Sequence, residues 1–217
     1  MSHVGKKEQA GRILAFMQNR YPAPASELDW TSPWELLVAT MLAAQCTDKR
    51  VNTVTPRLFS RWPDIAAVAQ ADLAEMESVV RPTGFYRNKA RNLIASACKI
   101  MVDFGGQVPA TMEGLVSLPG VARKTANIVL SNAYGLQEGI AVDTHVKRLS
   151  NRLGLTISCD PVRIEQDLMP LVPRPYWGDF NHYLVLYGRE VCKARKPLCA
   201  ECGLARICPF MGEKNRS

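Results

Sequence analysis

Apolar residues recur at helical spacing along nearly the whole chain, and no convincing run of alternating β-branched residues interrupts them. An all-α fold is therefore predicted. Ser32, Pro33 and Glu35 read as a capping box with proline at the first helical position, which predicts a helix start. Pro56 predicts a kink or a break in its helix. Helices are expected at about 7–20, 47–60, 64–69, 71–80, 86–104 and 176–190. Others are expected to start at Ser32, at Thr111, after Asp143 and at Asp160, and one is expected to end near Gly135.

Basic residues form two groups in a chain of 217 residues with a formal net charge of +7. The first group has no acid between positions 81 and 99, and the second, near the C-terminus, has only Glu190 beside it. Two separate patches favour a polyanionic partner, nucleic acid before a membrane, and a solvated basic face is the alternative. The groups are Arg81, Arg87, Lys89, Arg91 and Lys99, and Arg189, Lys193, Arg195 and Lys196.

Seven cysteines and the absence of an apolar run of membrane-spanning length or of a secretory signal favour a reducing compartment. Four of the cysteines follow the pattern C-x6-C-x2-C-x5-C near the C-terminus. Four thiolates hold either an iron-sulfur cubane or zinc, and a single C-x2-C leans mildly against zinc. The four candidates are Cys192, Cys199, Cys202 and Cys208, whereas Cys46, Cys98 and Cys159 are interpreted as small buried apolar residues.

The stretch LPGVARKTAN, residues 118–127, places a Pro-Gly turn between two helices. Unpaired backbone N–H groups at Gly120, Val121 and Ala122 would grip a phosphate, although a Pro-Gly turn alone is typical of an ordinary helix–helix corner. Lys124 follows Arg123 into a helix start, where cations are disfavoured. Only a neutral amine attacks carbon, and this position with partial desolvation favours the neutral form.

LPGVARKTAN is followed by VDTH at 142–145 and then by the four cysteines. With SPWELLVATMLAAQCTD, TGFYRNKA and AVDTHVKRLSNRLG in the same order, the chain resembles the endonuclease III family of helix-hairpin-helix DNA glycosylases with an iron-sulfur cluster. The resemblance covers nearly the whole chain. It implies a six-helix barrel domain at 26–135 with the hairpin motif at about 111–135, an iron-sulfur cluster domain at 1–25 and 136–217, and an active site in the cleft between them.

The resemblance implies a nucleophilic lysine at Lys124 and a carboxylate partner at Asp143. Taken alone, Lys124 is more typical of a phosphate contact, and the ordered set of motifs is what favours the nucleophile. Asp143 alone is typical of the N-cap of a helix that starts at Thr144, a role compatible with catalysis. The carboxylate would stabilise the positive charge that develops on the sugar as the base leaves. His145 is interpreted as a structural or phosphate contact.

Gln45 and Phe85 match the family positions that fill the space left by an extruded base. A polar helix end and a packed aromatic are the alternatives, and Phe85 stands where the family commonly has leucine. Ala122 stands where the family often has glycine, which would cost about 1 kcal/mol if the position needs a positive φ. The predicted DNA contacts are Gln45, Phe85, Gly120, Val121, Ala122, Arg123, His145, Lys193, Arg195 and Lys196.

The cofactor implied by the resemblance is a 4Fe-4S cluster on the four C-terminal cysteines. The loop KARKPL between the first two of them would become a rigid basic surface for phosphates, or a solvated charged loop. Hairpin carbonyls in the family often bind a monovalent cation, which is a second candidate ligand.

The predicted function is that of a bifunctional DNA glycosylase and AP lyase that removes oxidised or saturated pyrimidines from duplex DNA. Its partner would be double-stranded DNA with damaged bases or abasic sites, and we expect a monomer in the cytoplasm with the chromosomal DNA of a bacterium. The rivals are a mismatch adenine glycosylase, which lacks the lysine, a glycosylase for thymine mismatches or pyrimidine dimers, a DNA-binding module without catalysis, and a redox-sensing cluster protein.

Overall fold

The computed structural model describes residues 3–214, which form helices joined by turns without a strand in that range. The all-α prediction is confirmed. Two compact units divide the chain: Ser26–Glu138, called the central unit, and the residues up to Ala25 together with those from Gly139 onward, called the terminal unit. Within the described range, the helices are too short or too polar to span a membrane.

Five of the seven helices of the central unit begin where a short polar side chain caps them. Ser32 accepts a hydrogen bond from the Glu35 N–H, whereas the Glu35 carboxylate turns to the N–H and hydroxyl of Thr31 rather than closing the box on Ser32. The helices are α2 (Pro33–Leu42), α3 (Asp48–Arg61), α4 (Ile65–Ala69), α5 (Leu73–Val80), α6 (Tyr86–Asp103), α7 (Met112–Val116) and α8 (Arg123–Ala133).

Helix α6 is the structural centre of this unit. Its residues Ala90, Leu93, Ala97 and Ile100 recur at helical spacing and are fully buried in the apolar core. Gly105 and Gly106 follow the helix with positive φ, and the Gly106 N–H bonds the Ile100 carbonyl across the helix end. Because α6 is fixed by the core, groups bonded to its side chains are fixed with it.

Helix α3 runs through Pro56, so the break that the sequence allowed is absent. Val51, Val54 and Leu58, on both sides of the proline, are buried in the core, while Pro56 itself faces solvent. Packing on both sides therefore compensates for the backbone hydrogen bond that proline cannot make.

The terminal unit has its own apolar core. Ile13 and Met17 of the first helix share that core with Phe180, Leu184 and Tyr187 of a late helix. Asp160 caps one helix start, as expected from its position before Pro161. The helices are α1 (His3–Arg20), α9 (Thr144–Arg152), α10 (Pro161–Leu168), α11 (Trp177–Glu190) and α12 (Pro209–Lys214), with short 3-10 turns at Arg174–Tyr176, Cys199–Glu201 and Ala205–Ile207.

Candidate active site and cluster site

The hairpin between α7 and α8 is a tight turn over residues 118–121. Gly120 has φ of 78°, and the Val121 N–H donates to the Leu118 carbonyl at 3.1 Å. Proline at the second position and a left-handed glycine at the third are what such a turn requires. The expectation of an unpaired N–H at Val121 is therefore wrong, because that N–H closes the turn.

Two side chains of α6, Ser96 and Asn92, contact the hairpin and fix its position. The Ser96 hydroxyl donates to the Pro119 carbonyl at 2.8 Å. A Cβ at Gly120 would lie 2.5 Å from Asn92 Nδ2 and 2.9 Å from Asn92 Cβ. Glycine is thus needed at 120 both for its φ and for the close approach of Asn92.

Helix α8 starts with an open N-terminus. Ala122 is its N-cap residue with φ of −92° and ψ of 167°, so alanine is unstrained there and the possible cost of replacing glycine does not arise. As an alanine, this residue has no side-chain acceptor for the first N–H groups of the helix. Since the first N–H groups of a helix attract anions, this helix end can receive a phosphate.

Lys124 lies in the first turn of α8, and its side chain is exposed, as is that of Arg123. The partial desolvation that we expected for Lys124 is therefore not supplied by the described residues of the protein alone. An exposed amine beside an open helix end is nevertheless accessible to a sugar whose phosphate binds there.

Asp143 is the N-cap of α9. Its Oδ1 accepts a hydrogen bond from the Val146 N–H at 2.7 Å, and the side chain is half-buried. Two residues earlier, the Ala141 carbonyl accepts a bond from Asn181 Nδ2 at 2.7 Å. The carboxylate is therefore held in a defined place while part of it stays open to solvent.

His145 lies one helical turn before Arg148 in α9, and its Nδ1 is 3.1 Å from Arg148 Nη2. Arg148 also donates to the carbonyls of Gly188 and Cys192. The histidine thus has the structural contact that was one of its two expected roles.

Gln45 and Phe85 share an unusual backbone conformation. With φ of 54° and 47°, they are the only non-glycine residues of the described range that have positive φ. Both are exposed, Phe85 by 63%. They line the same pocket of about 200 Å³, which Lys89, Asn92 and Gly120 also border. Each left-handed residue costs about 1 kcal/mol or more, and such strain is concentrated at functional sites.

Lys89 does not belong to the basic surface patch in which the sequence placed it. It is 6% exposed, and its Nζ donates to the carbonyls of Leu42 and Thr83 at 2.7 and 2.8 Å. Burial lowers the pKa of this lysine. The signal was present in the sequence, because position 89 shares the buried face of α6 with Leu93 and Ile100.

The four C-terminal cysteines line one cavity, whose remaining walls are mainly apolar. Arg152 Nη1 lies 3.3 Å from Cys192 Sγ and also donates to the Lys193 carbonyl. Burial and the hydrogen bond with Cys202 raise the pKa of the Tyr187 hydroxyl, and burial raises the pKa of the Cys208 thiol. Within the described range, no three or more histidine, cysteine, aspartate or glutamate side chains are grouped so that they could hold a single metal ion. Four thiols that line one cavity with mainly apolar walls fit the donor set of an iron-sulfur cubane.

The other cysteines differ from expectation. Cys46 is half-buried, and Cys98 and Cys159 are exposed. Cys98 lies on the solvent side of α6, and Cys159 in the link before α10, so the interpretation of these two as buried apolar residues was wrong.

Comparison with known proteins identifies the family. A family model of the HhH-GPD superfamily of base excision DNA repair proteins matches residues 38–174, and one of the iron-sulfur binding domain of endonuclease III matches residues 192–208. Endonuclease III of Synechocystis sp. is 55% identical over 206 residues, covering 95% of this chain and 94% of the relative.

Two solved structures, a non-covalent endonuclease III–DNA complex and a trapped endonuclease III–DNA covalent intermediate, are each 40% identical with a TM-score of 0.91. Each comparison covers 97% of this chain and 99% of that chain. The helix-hairpin-helix fold and the 4Fe-4S cofactor predicted from the sequence are thereby confirmed. This chain belongs to the endonuclease III family of helix-hairpin-helix DNA glycosylases, the base excision repair enzymes with glycosylase and AP lyase activity.

Proposed function

We propose that this enzyme removes oxidised or saturated pyrimidines from duplex DNA, with Lys124 as nucleophile and Asp143 as its carboxylate partner. The observation that carries the proposal is the exposed amine of Lys124 in the first turn of a helix whose N-cap residue, Ala122, makes no side-chain hydrogen bond to the helix start. A related chain forms a trapped covalent intermediate with DNA, which is the state that a lysine nucleophile would give.

Base removal begins as the bond between the base and C1′ weakens and positive charge develops on the sugar. The Asp143 carboxylate, held by the Val146 N–H, stabilises that charge. The neutral amine of Lys124 bonds to C1′, and the electron pair of the broken bond leaves with the base, which takes up a proton. The attached nitrogen then loses one proton to solvent and one to the ring oxygen O4′ as the C1′–O4′ bond breaks, and its electron pair forms the C=N bond of the open-chain imine.

Strand cleavage follows from the same imine. Removal of a proton at C2′ leaves an electron pair that forms the C2′–C3′ double bond and expels the 3′ phosphate by β-elimination. Water hydrolyses the imine and frees Lys124. One side chain thus accounts for both glycosylase and lyase steps.

The DNA backbone would be held by the hairpin and the basic loop. The N–H groups of Gly120 and Ala122 and the side chain of Arg123 lie around the open start of α8, while the Val121 N–H is engaged within the turn. Lys193, Arg195 and Lys196 are exposed on the loop after Cys192. His145 and these three cations would add contacts that do not depend on base sequence.

Gln45 and Phe85 would enter the duplex when the damaged base leaves the stack. Their exposure on one pocket and their strained backbones support this role. Cys192, Cys199, Cys202 and Cys208 would hold the cluster, which when bound supplies rigidity to residues 192–208. The enzyme would act as a monomer on duplex DNA.

Borohydride reduction of the imine tests the mechanism. Wild-type protein should form a covalent adduct with duplex DNA carrying thymine glycol or an abasic site. Lys124→Ala and Lys124→Arg should form none, because arginine keeps the charge but not a nucleophilic amine. Both variants should still bind undamaged duplex and keep the visible absorption of the cluster. Strand cleavage retained by either variant would refute the lysine mechanism, and an adduct on abasic DNA alone would refute the proposed base specificity.

A further inference from the structure

Lys89 contacts the two turns that lead into Gln45 and Phe85. Its ammonium donates to the carbonyl of Leu42, the last residue of α2, and to the carbonyl of Thr83 in the turn Arg81–Thr83. Leu42 stands three residues before Gln45, and Thr83 stands two residues before Phe85. A single side chain thus bonds to both segments.

The backbone of Lys89 adds a third contact. Its N–H donates to the Phe85 carbonyl at 3.1 Å, and Phe85 is the N-cap residue of α6. The position of Lys89 is itself fixed, because its neighbours on the same helix face, Leu93 and Ile100, lie in the core. The two turns are therefore bonded to one rigid helix.

A buried ammonium is costly unless hydrogen bonds replace its water. Here those bonds go to two carbonyls, one of them at a helix C-terminus where positive charge is favoured. An apolar side chain at position 89 would fill the space without the desolvation cost. The lysine therefore serves a purpose other than packing. Its hydrogen bonds to the carbonyls of Leu42 and Thr83 indicate that this purpose is to fix those two segments.

Gln45 and Phe85 both hold left-handed conformations that neither residue type favours. Such conformations persist only where the surroundings enforce them. Leu42 and Thr83, the partners of Lys89, lie close enough along the chain to transmit the constraint. Loosening both turns would let both side chains relax away from the pocket.

We propose that Lys89 is a positioning residue that holds Gln45 and Phe85 at a fixed separation, so that they enter the duplex together as a preformed pair. This inference rests on the proposed role of those two residues in base extrusion. Because Lys89 is only 6% exposed and its ammonium bonds two backbone carbonyls, it acts through the two turns. Its loss should slow base extrusion and leave the imine chemistry of Lys124 unchanged.

The test compares a substrate that needs extrusion with one that does not. Lys89→Met keeps the length of the side chain and removes its donors. Single-turnover base removal from paired thymine glycol should fall by about 10-fold or more, while borohydride trapping on an abasic site should stay within about 2-fold, since that site has no base to unstack. The fluorescence of 2-aminopurine beside the lesion, which rises on unstacking, should rise more slowly.

Lys99→Met is the matched control, because it removes a lysine from the same helix whose Nζ pairs with Asp103 outside the pocket. Lys99 belongs to the basic group at residues 81–99, so any loss of DNA affinity should be equal for the two substrates. Lys89→Gln, which keeps N–H donors on a shorter and uncharged side chain, should give an intermediate defect and serves as the second variant if Lys89→Met does not fold. Adding Lys89→Met to Phe85→Ala should slow base removal by a smaller factor than Lys89→Met does in the wild type, because both changes impair the same step.

Equal losses on both substrates would assign Lys89 to general stability and overturn the inference. The inference would also be overturned if Lys89→Met removed thymine glycol at the wild-type rate while Phe85→Ala and Gln45→Ala removed it slowly. If those two variants extrude the base at the wild-type rate, it is the proposed role of Gln45 and Phe85 that fails, and the inference fails with it.

Discussion

Residues 118–124 and residues 192–208 both present exposed cations, but they are held in place differently. The first segment, called the hairpin segment, closes on its own backbone and is bonded to the buried helix α6 through Ser96. The second, called the cysteine segment, has only two three-residue turns, Cys199–Glu201 and Ala205–Ile207, around a cavity lined by thiols.

The hairpin segment is ordered by contacts within the protein, whereas the order of the cysteine segment depends on a cofactor. The bond from Ser96 and the contact with Asn92 that hold the hairpin segment both lie within the central unit. Arg152 bonds the cysteine segment through the carbonyls of Lys193 and Ala194, and Gln9 bonds the carbonyl of Ile207, whereas all four thiols of the segment line the cavity. We therefore expect the hairpin segment to stay folded without the cluster and the cysteine segment to depend on it.

Removing a cluster ligand is the largest expected perturbation. Cys202→Ser should abolish the visible absorption of the cluster and destabilise the terminal unit by several kcal/mol, since cluster binding contributes to folding free energy. Hydrogen exchange should show lost protection across 192–208 and retained protection of the Val121 amide. Cys98→Ser, at an exposed cysteine, is the control and should change neither. Loss of protection at Val121 would contradict the separation of the two segments.

Sequence patterns specified the parts of this molecule that depend on local chemistry. Asp143 and Asp160 cap helices because their side chains reach an N–H three residues on, which spacing alone predicts. The turn at Pro119 and Gly120 was equally predictable. Its consequence was overlooked: a turn closed by the Val121 N–H cannot also offer that N–H to a phosphate.

The features that sequence missed depend on contacts between distant residues. The position of Lys89 on the apolar face of α6 indicates burial, but the carbonyl partners of its ammonium come from α2 and from the turn before α6, which a charge pattern along the chain does not reveal. The left-handed conformations of Gln45 and Phe85 follow from no local preference of glutamine or phenylalanine. Such positions become visible only when the elements that enforce them are in place.

Gly120→Ala should be the most damaging small change in the hairpin segment. The added Cβ meets Asn92 at 2.5–2.9 Å and forces alanine to adopt φ of 78°, so we expect a loss of about 3 kcal/mol in the free energy of unfolding. Gly135→Ala is the matched control, because Gly135 has φ of 66° but open space around it. It should lose only about 1 kcal/mol in urea unfolding. Equal losses for both would mean that the contact with Asn92 does not constrain the hairpin.

Ser96→Ala should have the smallest effect and the most specific one. It removes the hydrogen bond to the Pro119 carbonyl at a fully buried position, so the free energy of unfolding should fall by about 1 kcal/mol. Thr40→Val is the matched control, since it also deletes a buried hydroxyl bonded to a carbonyl of the central unit, that of Leu36 within α2.

The two variants should lose similar stability by urea titration and differ in DNA affinity. If the hairpin segment grips phosphate only while α6 holds it, Ser96→Ala should weaken binding to undamaged duplex by about 2- to 5-fold. Thr40→Val should leave affinity unchanged. Equal affinity for both would show that the turn and the start of α8 suffice by themselves. Lower affinity in both would attribute the effect to general stability, and the bond from Ser96 would then have no special part in DNA binding.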